Sequence, residues 1–277
     1  MRKIRTLFLN LIIALAVTAG FIFCCGFSFH TREGVQNFAP SVLCSFTTYF
    51  DKDNKDRCHN IRLASKLIDG TKIENGEVFS FNSAVGERTV KRGFKIAKII
   101  KDGEFVEGVG GGVCQVSTTL YNAALLSGCI IREYHPHSLP VSYVAPSRDA
   151  MVSGTYYDLK FQNVSGREIY IKSSAGANYV RFTLYGISDG AKYELSTFVT
   201  GTIAASEEQT DDIALVRAGR DGIISEGYLT VTKNGVTKVR LLRRDKYAPQ
   251  KRVVLKTEEE NKDGELPEIT DEMQNGR

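Results

Sequence analysis

A glycine-rich segment that runs directly into a helix-like stretch constrains this chain most: GVGGGVCQVSTTLYNAALLSG, residues 108–128. Val116, Leu120 and Ala123 recur at steps of four and three, which is the spacing of one helix face. Cys114 therefore falls at a helix N-terminus, where unpaired backbone N–H groups and the helix dipole favour a thiolate. The segment predicts a reactive cysteine nucleophile, although a buried cysteine in a tight turn would carry the same pattern.

The glycines of this segment are candidates for substrate binding. Gly110, Gly111 and Gly112 can take positive φ or let another chain approach the backbone closely. We predict that a substrate docks against them and against Gln115, beside the sulfur. Backbone N–H groups from Val113 to Gln115 are expected to hold an oxyanion.

The N-terminus predicts a membrane anchor. Arg2, Lys3 and Arg5 precede an apolar run from Leu7 to Phe29. As a helix this run would extend about 34 Å, enough to cross a ~30 Å hydrocarbon core, and its flanking charges predict a cytoplasmic N-terminus with the bulk of the chain outside. A cleavable signal peptide is the alternative.

Four of the six cysteines lie beyond the anchor: Cys44, Cys58, Cys114 and Cys129. An exported domain permits disulfides, and pairing Cys44 with Cys58 would close a short loop. A helix of about a dozen residues separates Cys114 from Cys129 by roughly 18 Å, which exceeds disulfide reach. We therefore expect Cys114 to be a free thiol.

The order of predicted elements indicates an α+β fold, with an antiparallel sheet packed on the helix that begins at Cys114. The helix signals also include HNIRLASKLIDG, capped by Asn60. Strands are predicted in VLCSFTTYF, VFSFN, FKIAKII, CIIREY, VSYV, YYDLKFQN, EIYIKS, YVRFTLYG, GYLTVTK and VTKVRLL, the last two joined by a hairpin at Asn234-Gly235.

These signals divide the chain into five predicted parts. They are an N-terminal anchor or signal (1–30), a linker (31–40), a main domain (41–188), a small β-rich module (189–256) and an acidic disordered tail (257–277). Seven basic residues lie between Lys238 and Arg252 against Asp245 alone, a pattern typical of a solvated sheet edge, with weak attraction to an anionic polymer as the alternative. The net charge of +4 is mild, so nucleic acid is not an expected partner.

The segments GGGVCQVSTTLYNAALL, HPHSLPVSYV and SRDAMV resemble the VanW family of vancomycin-resistance accessory proteins. The similarity covers about residues 41–187. The family usually has Pro-Gly-Arg-Asp-Ala-Thr-Val where this chain has Ser147 and Met151 in place of the glycine and the threonine, while Arg148 and Asp149 remain. The module is loosely similar to five-glycine modules that are thought to bind wall sugars. The resemblance implies a bacterial cell-surface protein attached to the membrane and linked to glycopeptide resistance.

A cysteine nucleophile needs a base, and the base needs an orienting group. The resemblance favours His137 as base, because the family pattern centres on His-Ser-Leu-Pro, and Asp149 as orienter, with Asp158 as second choice. Arg148 is assigned to substrate binding, and an ion pair or turn is its structural alternative. Cysteine at a helix start, then histidine and aspartate on neighbouring strands, is similar to papain-like and transglutaminase-like cores.

A zinc site from His135, His137 and Asp149 is the competing constellation. Pro136 between the histidines and the lack of a clear third nitrogen or sulfur ligand count against it. We therefore predict neither a metal nor a cofactor.

Two functions remain from different classes. The first is a surface cysteine hydrolase or acyltransferase that acts on peptidoglycan or its stem peptides through Cys114, His137 and Asp149. The second is a non-catalytic peptidoglycan-binding or assembly protein, in which Tyr228, Arg243 and Arg244 of the module add contacts.

Overall fold

The fold contains an antiparallel sheet of four strands against which two long helices pack. Its strands are β1 (Ser41–Tyr49), β9 (Tyr179–Gly186), β8 (Ile169–Ala175) and β2 (Lys72–Ile73), in the order β1-β9-β8-β2. Alternate residues of β9, namely Val180, Phe182 and Leu184, are fully buried and face the core. This alternation in the sequence is what predicts a strand with one apolar face.

The computed structural model describes residues 40–101, 103–154 and 156–256. The predicted anchor (1–30), nearly all of the linker and the acidic tail (257–277) lie outside the described residues. Within the described ranges, no helix has both the length and the apolar character needed to cross a membrane.

Two long helices pack against the four-stranded sheet. They are α1 (Lys55–Ile68) and α3 (Val113–Leu126), and the short helix α2 (Phe81–Val85) lies between them in sequence. The predicted start of α1 at Asn60 is wrong, because the helix begins earlier, with the Asn54 side chain accepting from the Arg57 N–H at 3.1 Å. One-turn 3₁₀ helices occur at Val90–Arg92 and Ile213–Leu215.

Two smaller sheets belong to the same part of the chain as α3. A three-stranded sheet has the order β3 (Val78–Ser80), β7 (Lys160–Gln162) and β6 (Ile130–Glu133), and β4 (Ile96–Lys101) pairs with β5 (Glu104–Val109) as a hairpin just before the glycine loop. Residues 141–144, predicted as the strand VSYV, form bends instead, within the long connection between β6 and β7.

The last part of the described chain is all β. A three-stranded sheet has the order β10 (Lys192–Ile203), β12 (Gly222–Lys233) and β13 (Val236–Tyr247), while β11 (Glu207–Thr210) pairs in parallel with β14 (Arg252–Leu255). The hairpin at Asn234-Gly235 has φ of 50° and 77°, as its sequence predicts.

The fold is therefore mixed, with mostly antiparallel sheets and few helices, which confirms the predicted class at that level. Leu195 of β10 and Leu229 of β12 join the main hydrophobic core, so the C-terminal strands pack on the helical side of the molecule. The boundary proposed at residue 188 stays a prediction.

Candidate functional site

Cys114 is the second residue of α3, directly after the glycine loop. The Val113 N–H donates to Gly110 O and the Gln115 N–H donates to Gly112 O, both at 3.0 Å. Among the described residues, the Cys114 N–H has no hydrogen-bond acceptor. Of the three expected oxyanion donors, two are thus already used, and the N–H of the cysteine itself is the one that remains.

The three glycines serve packing more than ligand binding. A Cβ on Gly111 would lie 2.7 Å from Ala97 C and from Lys98 O, so this residue must lack a side chain for the chain before α3 to approach the β4 backbone. Gly110 and Gly111 are buried and do not line the cleft that opens beside Cys114, so their predicted role in substrate binding stays a prediction. Only Gly112 borders it.

His137 and Asp149 form a buried pair. The His137 backbone N–H and its Nδ1 both bond to Asp149 Oδ2 at 2.7 Å. The Asp149 acceptor fixes a proton on Nδ1 and leaves Nε2 as the nitrogen that can exchange a proton with another group. Both residues lie in the long connection between β6 and β7, not on neighbouring strands as predicted.

The Cys114 thiol donates to Val152 O at 3.3 Å, and Cys114 and His137 line the same cleft. Burial raises the thiol pKa, but the hydrogen bond and charge of His137 outweigh it and leave the pKa below its ordinary value. Burial lowers the pKa of His137, whereas Asp149 and Cys114 raise it to about 9. These opposite shifts favour a thiolate beside an imidazolium.

Two residues of β13 in the C-terminal sheet donate hydrogen bonds to Asp149. The Tyr247 hydroxyl donates to Asp149 Oδ1 at 2.6 Å, and Arg243 donates to Asp149 O at 2.7 Å. Arg243 is itself buried, paired with Asp245 at 2.6 Å and stacked 4.1 Å from the Tyr134 ring centroid. Burial disfavours the Asp149 carboxylate, but His137 first, then Arg243 and Tyr247, bring its pKa below the ordinary value. Asp149 is thus held ionised.

The turn before Asp149 is strained at Ser147, whose φ is 61°. The Ser147 N–H donates to the Tyr247 hydroxyl, and its Oγ shares a hydrogen bond with Ser225 Oγ, both at 2.7 Å. A positive φ suits glycine, the residue usual at this position in the family pattern. In this chain, hydroxyl contacts with β12 and β13 hold the serine there.

Asp158, the second-choice orienter, does not contact His137. It accepts from Ser80 Oγ at 2.5 Å and from the backbone N–H groups of Asn82 and Leu159 at 2.8 Å each, which anchors the start of α2. Its geometry is that of a structural residue.

Two other predicted residues also lie away from the cleft. His135 pairs with Glu133 at 3.1 Å, and its ring packs in a tilted orientation against Tyr157, with the ring centroids 4.6 Å apart. Arg148 donates to Leu195 O at 3.0 Å and lies 5.8 Å from the Phe46 ring, so it links the main sheet to β10 and does not line the cleft at Cys114.

The side chain of Gln115 borders the cleft but is fully engaged. Its Nε2 donates to Thr48 Oγ1 at 3.0 Å and to Tyr49 O at 2.9 Å, while its Oε1 accepts from Arg57 at 2.6 Å. Gln115 therefore ties the first turn of α3 to β1 and α1.

All four cysteines of the described chain are free thiols, so Cys44 and Cys58 are not bridged. Across residues 40–256, apart from the two undescribed positions, no cluster of three or more histidine, cysteine or acidic side chains could hold a metal ion. The His135 ring bonds to Glu133, so His135 does not join His137 and Asp149 in a zinc site.

A cleft of about 630 Å³ opens at the cysteine. Cys114, His137, Tyr143 and Met151 line it, as do residues of the β4–β5 hairpin. A volume of this size suits a small ligand or a few residues of a peptide.

The sequence analysis missed the residues that support the site from a distance. Tyr247, Arg57 and Tyr143 carry no motif, and Arg243 was expected to contact the cell wall, not Asp149. The available signal is the alternation of Arg243, Asp245 and Tyr247 along β13, which places three polar residues on one strand face.

The chain is similar in sequence to one protein family and to two known proteins. The family model "VanW like protein" matches residues 56–185. The uncharacterised protein YoaR of Bacillus subtilis is 46% identical over 153 residues, covering 55% of this chain and 50% of that protein. The vancomycin B-type resistance protein VanW of Enterococcus faecalis is 30% identical over 132 residues, covering 44% and 46%.

The chain spans about half the length of these curated relatives. No solved structure matches it significantly. The family match contains Cys114, His137 and Asp149, whereas Arg243 and Tyr247 lie beyond it. Over residues 56–185 the chain is therefore similar to VanW-like proteins.

Proposed function

We propose that this protein is a cysteine hydrolase or acyltransferase that acts on a peptide of the bacterial cell wall. The observation that carries the proposal is the 2.7 Å hydrogen bond between His137 and Asp149, next to a cleft that Cys114 and His137 both line. The lowered pKa of the thiol and the raised pKa of the histidine support it. Covalent acyl transfer by a cysteine requires a nucleophile, a base that exchanges its proton, and a group that orients the base.

In the proposed reaction, the Cys114 thiolate attacks an amide carbonyl carbon and forms a C–S bond. The carbonyl π electrons move to oxygen, which the free Cys114 N–H stabilises. When the oxyanion collapses, the C–N bond breaks and the leaving amine takes a proton from His137 Nε2. Water or a second amine then attacks the thioester, gives its proton to His137 and releases the thiolate.

The wall substrate is inferred from context. One relative is named as a vancomycin B-type resistance protein, and resistance to a glycopeptide concerns the cell wall. The apolar run after the basic N-terminus supports a membrane-anchored protein with its cleft on the cell surface. The position of the cysteine at a helix start and its order before histidine and aspartate support a papain-like or transglutaminase-like core.

The alternative function is binding without catalysis. Its predicted contact through Arg243 is not available, because that side chain is 0% exposed and bonded to Asp149 and Asp245. Tyr228 and Arg244 are bonded to Glu226, at 2.5 and 2.8 Å. Of the three predicted contacts, Arg244 remains accessible, with 65% of its side chain exposed, and Tyr228 is partly exposed.

The test is to incubate the full-length protein with soluble peptidoglycan fragments that carry their stem peptides, and to follow products by mass spectrometry. We expect amide cleavage or exchange, and an acyl adduct on Cys114. Cys114→Ala should abolish both, whereas Cys44→Ala, which removes another half-buried thiol, should retain both. Turnover that survives in Cys114→Ala would refute the catalytic proposal, and binding without turnover in the parent protein would favour the alternative.

A further inference from the structure

The cleft beside Cys114 has a marked charge bias. Arg57, Lys98 and Arg220 border it, against the single carboxylate of Asp51. Among the described residues, no carboxylate lies within salt-bridge distance of any of the three cations. Surface cations elsewhere in the chain commonly have an acidic partner, such as Lys172 with Asp69 at 3.0 Å. The cationic side of the cleft is therefore open to an anion from outside.

Arg57 is the best-defined member of this set. Its side chain packs against Gly112, since a Cβ added to Gly112 would lie 3.0 Å from Arg57 Cγ. One terminal nitrogen donates to Gln115 Oε1 at 2.6 Å, next to Cys114 in sequence. The remaining N–H groups of the guanidinium have no acceptor within the described part of the chain. Half-buried and pre-oriented, the guanidinium presents donors in the fork geometry that matches a carboxylate.

Apolar side chains also line the cleft. They include Phe50, Val141, and Ile99 and Phe105 of the β4–β5 hairpin. Phe105 is 52% exposed, so it offers apolar surface to a ligand. A cleft with apolar walls and a few placed charges fits a short peptide better than a polymer that carries an anion at every unit.

We infer that the cleft binds a peptide carrying a free carboxylate, with Arg57 as the main contact and Lys98 and Arg220 at the rim. The inference rests on the proposed function, since the carboxylate belongs to the same peptide whose carbonyl reaches Cys114. Specificity then arises because a neutral peptide leaves the Arg57 donors desolvated and unpaired.

The test measures binding to the full-length Cys114→Ala protein, so that turnover does not interfere. The probes are N-acetyl-Ala-Glu-Ala amide and its glutamine counterpart, which differ in one charge, and glycerol phosphate as a phosphate probe. We expect the glutamate peptide to bind about tenfold more tightly than the glutamine peptide at low salt, which corresponds to about 1.4 kcal/mol. High salt should reduce the difference.

Variants assign the effect to residues. Arg57→Met should remove the preference, and the exposed pair Lys98→Met with Arg220→Met should reduce it several-fold. Arg62→Met is the matched control, because Arg62 lies on the same helix and bonds to Gly176 O at 3.1 Å, so the preference should persist. If Arg57→Met proves unstable in thermal unfolding, the Lys98 and Arg220 variants carry the test.

Equal affinity for the two peptides would overturn the inference, and so would tighter binding of glycerol phosphate than of the glutamate peptide. The outcome is separable from that of the proposed function. A charge preference in Cys114→Ala together with no turnover in the parent protein would keep the subsite and reject the chemistry. Turnover without a charge preference would do the reverse.

Discussion

The Tyr247 hydroxyl and the Asp149 carboxylate share a 2.6 Å hydrogen bond although 98 positions separate them in sequence. The other oxygen of that carboxylate accepts from His137. Tyr247 of β13 therefore contacts the His137–Asp149 pair, and His137 lines the same cleft as Cys114 at the start of α3. Because Tyr247 lies beyond the region matched by the family model, the C-terminal strands and the matched region act together here.

Tyr247→Phe tests this relationship. The change removes a donor to Asp149 and the acceptor of the Ser147 N–H, both buried, so the free energy of unfolding should fall by about 1–3 kcal/mol. The less firmly held carboxylate should also stabilise the His137 imidazolium less, so Cys114 alkylation at neutral pH should slow severalfold. Tyr193→Phe is the control, because its hydroxyl bonds to Asp189 at 3.4 Å, away from the site. Equal alkylation rates in the Tyr247→Phe and Tyr193→Phe proteins would argue against a positioning role.

The pH dependence of Cys114 alkylation follows from the two pKa shifts. Because the thiol pKa lies below its ordinary value of 9.0, the reactive thiolate should persist below pH 9 and disappear as the pH falls through the lowered pKa. The His137 pKa of about 9 means that the imidazolium stays protonated up to that pH. Residue-resolved mass spectrometry with iodoacetamide across pH 5–10 measures the profile.

Internal controls come from the other thiols and from His137→Gln. Burial raises the pKa of Cys129 to about 12, so it should stay unreactive over the same range. In His137→Gln the largest remaining influence on Cys114 is burial, which raises its pKa, so the alkylation midpoint should move above pH 9. A midpoint that does not move would mean that His137 does not set the reactivity of the thiol.

Substitution of Asp149 should reduce turnover, whereas substitution of Asp158 should reduce stability. Asp149→Asn removes the acceptor that orients the His137 ring and stabilises its charge, and should lower turnover of the wall peptide by roughly 10²–10⁴-fold. Asp158→Asn weakens the hydrogen bonds at the start of α2 and should cost about 1–3 kcal/mol of stability. Turnover per folded molecule and thermal unfolding distinguish these effects. Similar turnover losses in both variants would contradict the assignment of Asp149.

The local features of the site were predictable from the sequence. Apolar spacing predicted α3 with Cys114 near its first residue, and Asn234-Gly235 predicted a hairpin that the structure contains between β12 and β13. Each depends on a few adjacent residues, because helix faces and tight turns are set by local periodicity and by backbone φ.

The long-range features were not predictable. The run of basic residues in β13 suggested a solvated edge, and Arg244 is indeed exposed, but the alternate residues Arg243 and Tyr247 are buried against Asp149. Single-strand alternation indicates that the two faces differ, yet only tertiary packing decides which element covers a face. Asn60 shows the same limit, since it was expected to cap a helix but instead bonds to Lys95 and Gly111 at 2.7–3.0 Å.

Gly112→Ala tests why the loop before Cys114 is made of glycine. Gly112 has φ of 103°, and an added Cβ would lie 3.0 Å from both Arg57 Cγ and Ile61 Cγ1. The substitution should therefore combine backbone strain of about 1–3 kcal/mol with displacement of the Arg57 side chain. Gly76→Ala is the matched control, because its φ is 85° but nothing lies within 4 Å of the added Cβ, so it carries the strain alone. We expect Gly112→Ala to lose turnover and the preference for the charged peptide, and Gly76→Ala to lose only stability, as measured by thermal unfolding alongside both assays. If both variants lost stability equally and both kept the charge preference, Gly112 would have no part in placing Arg57 at the cleft.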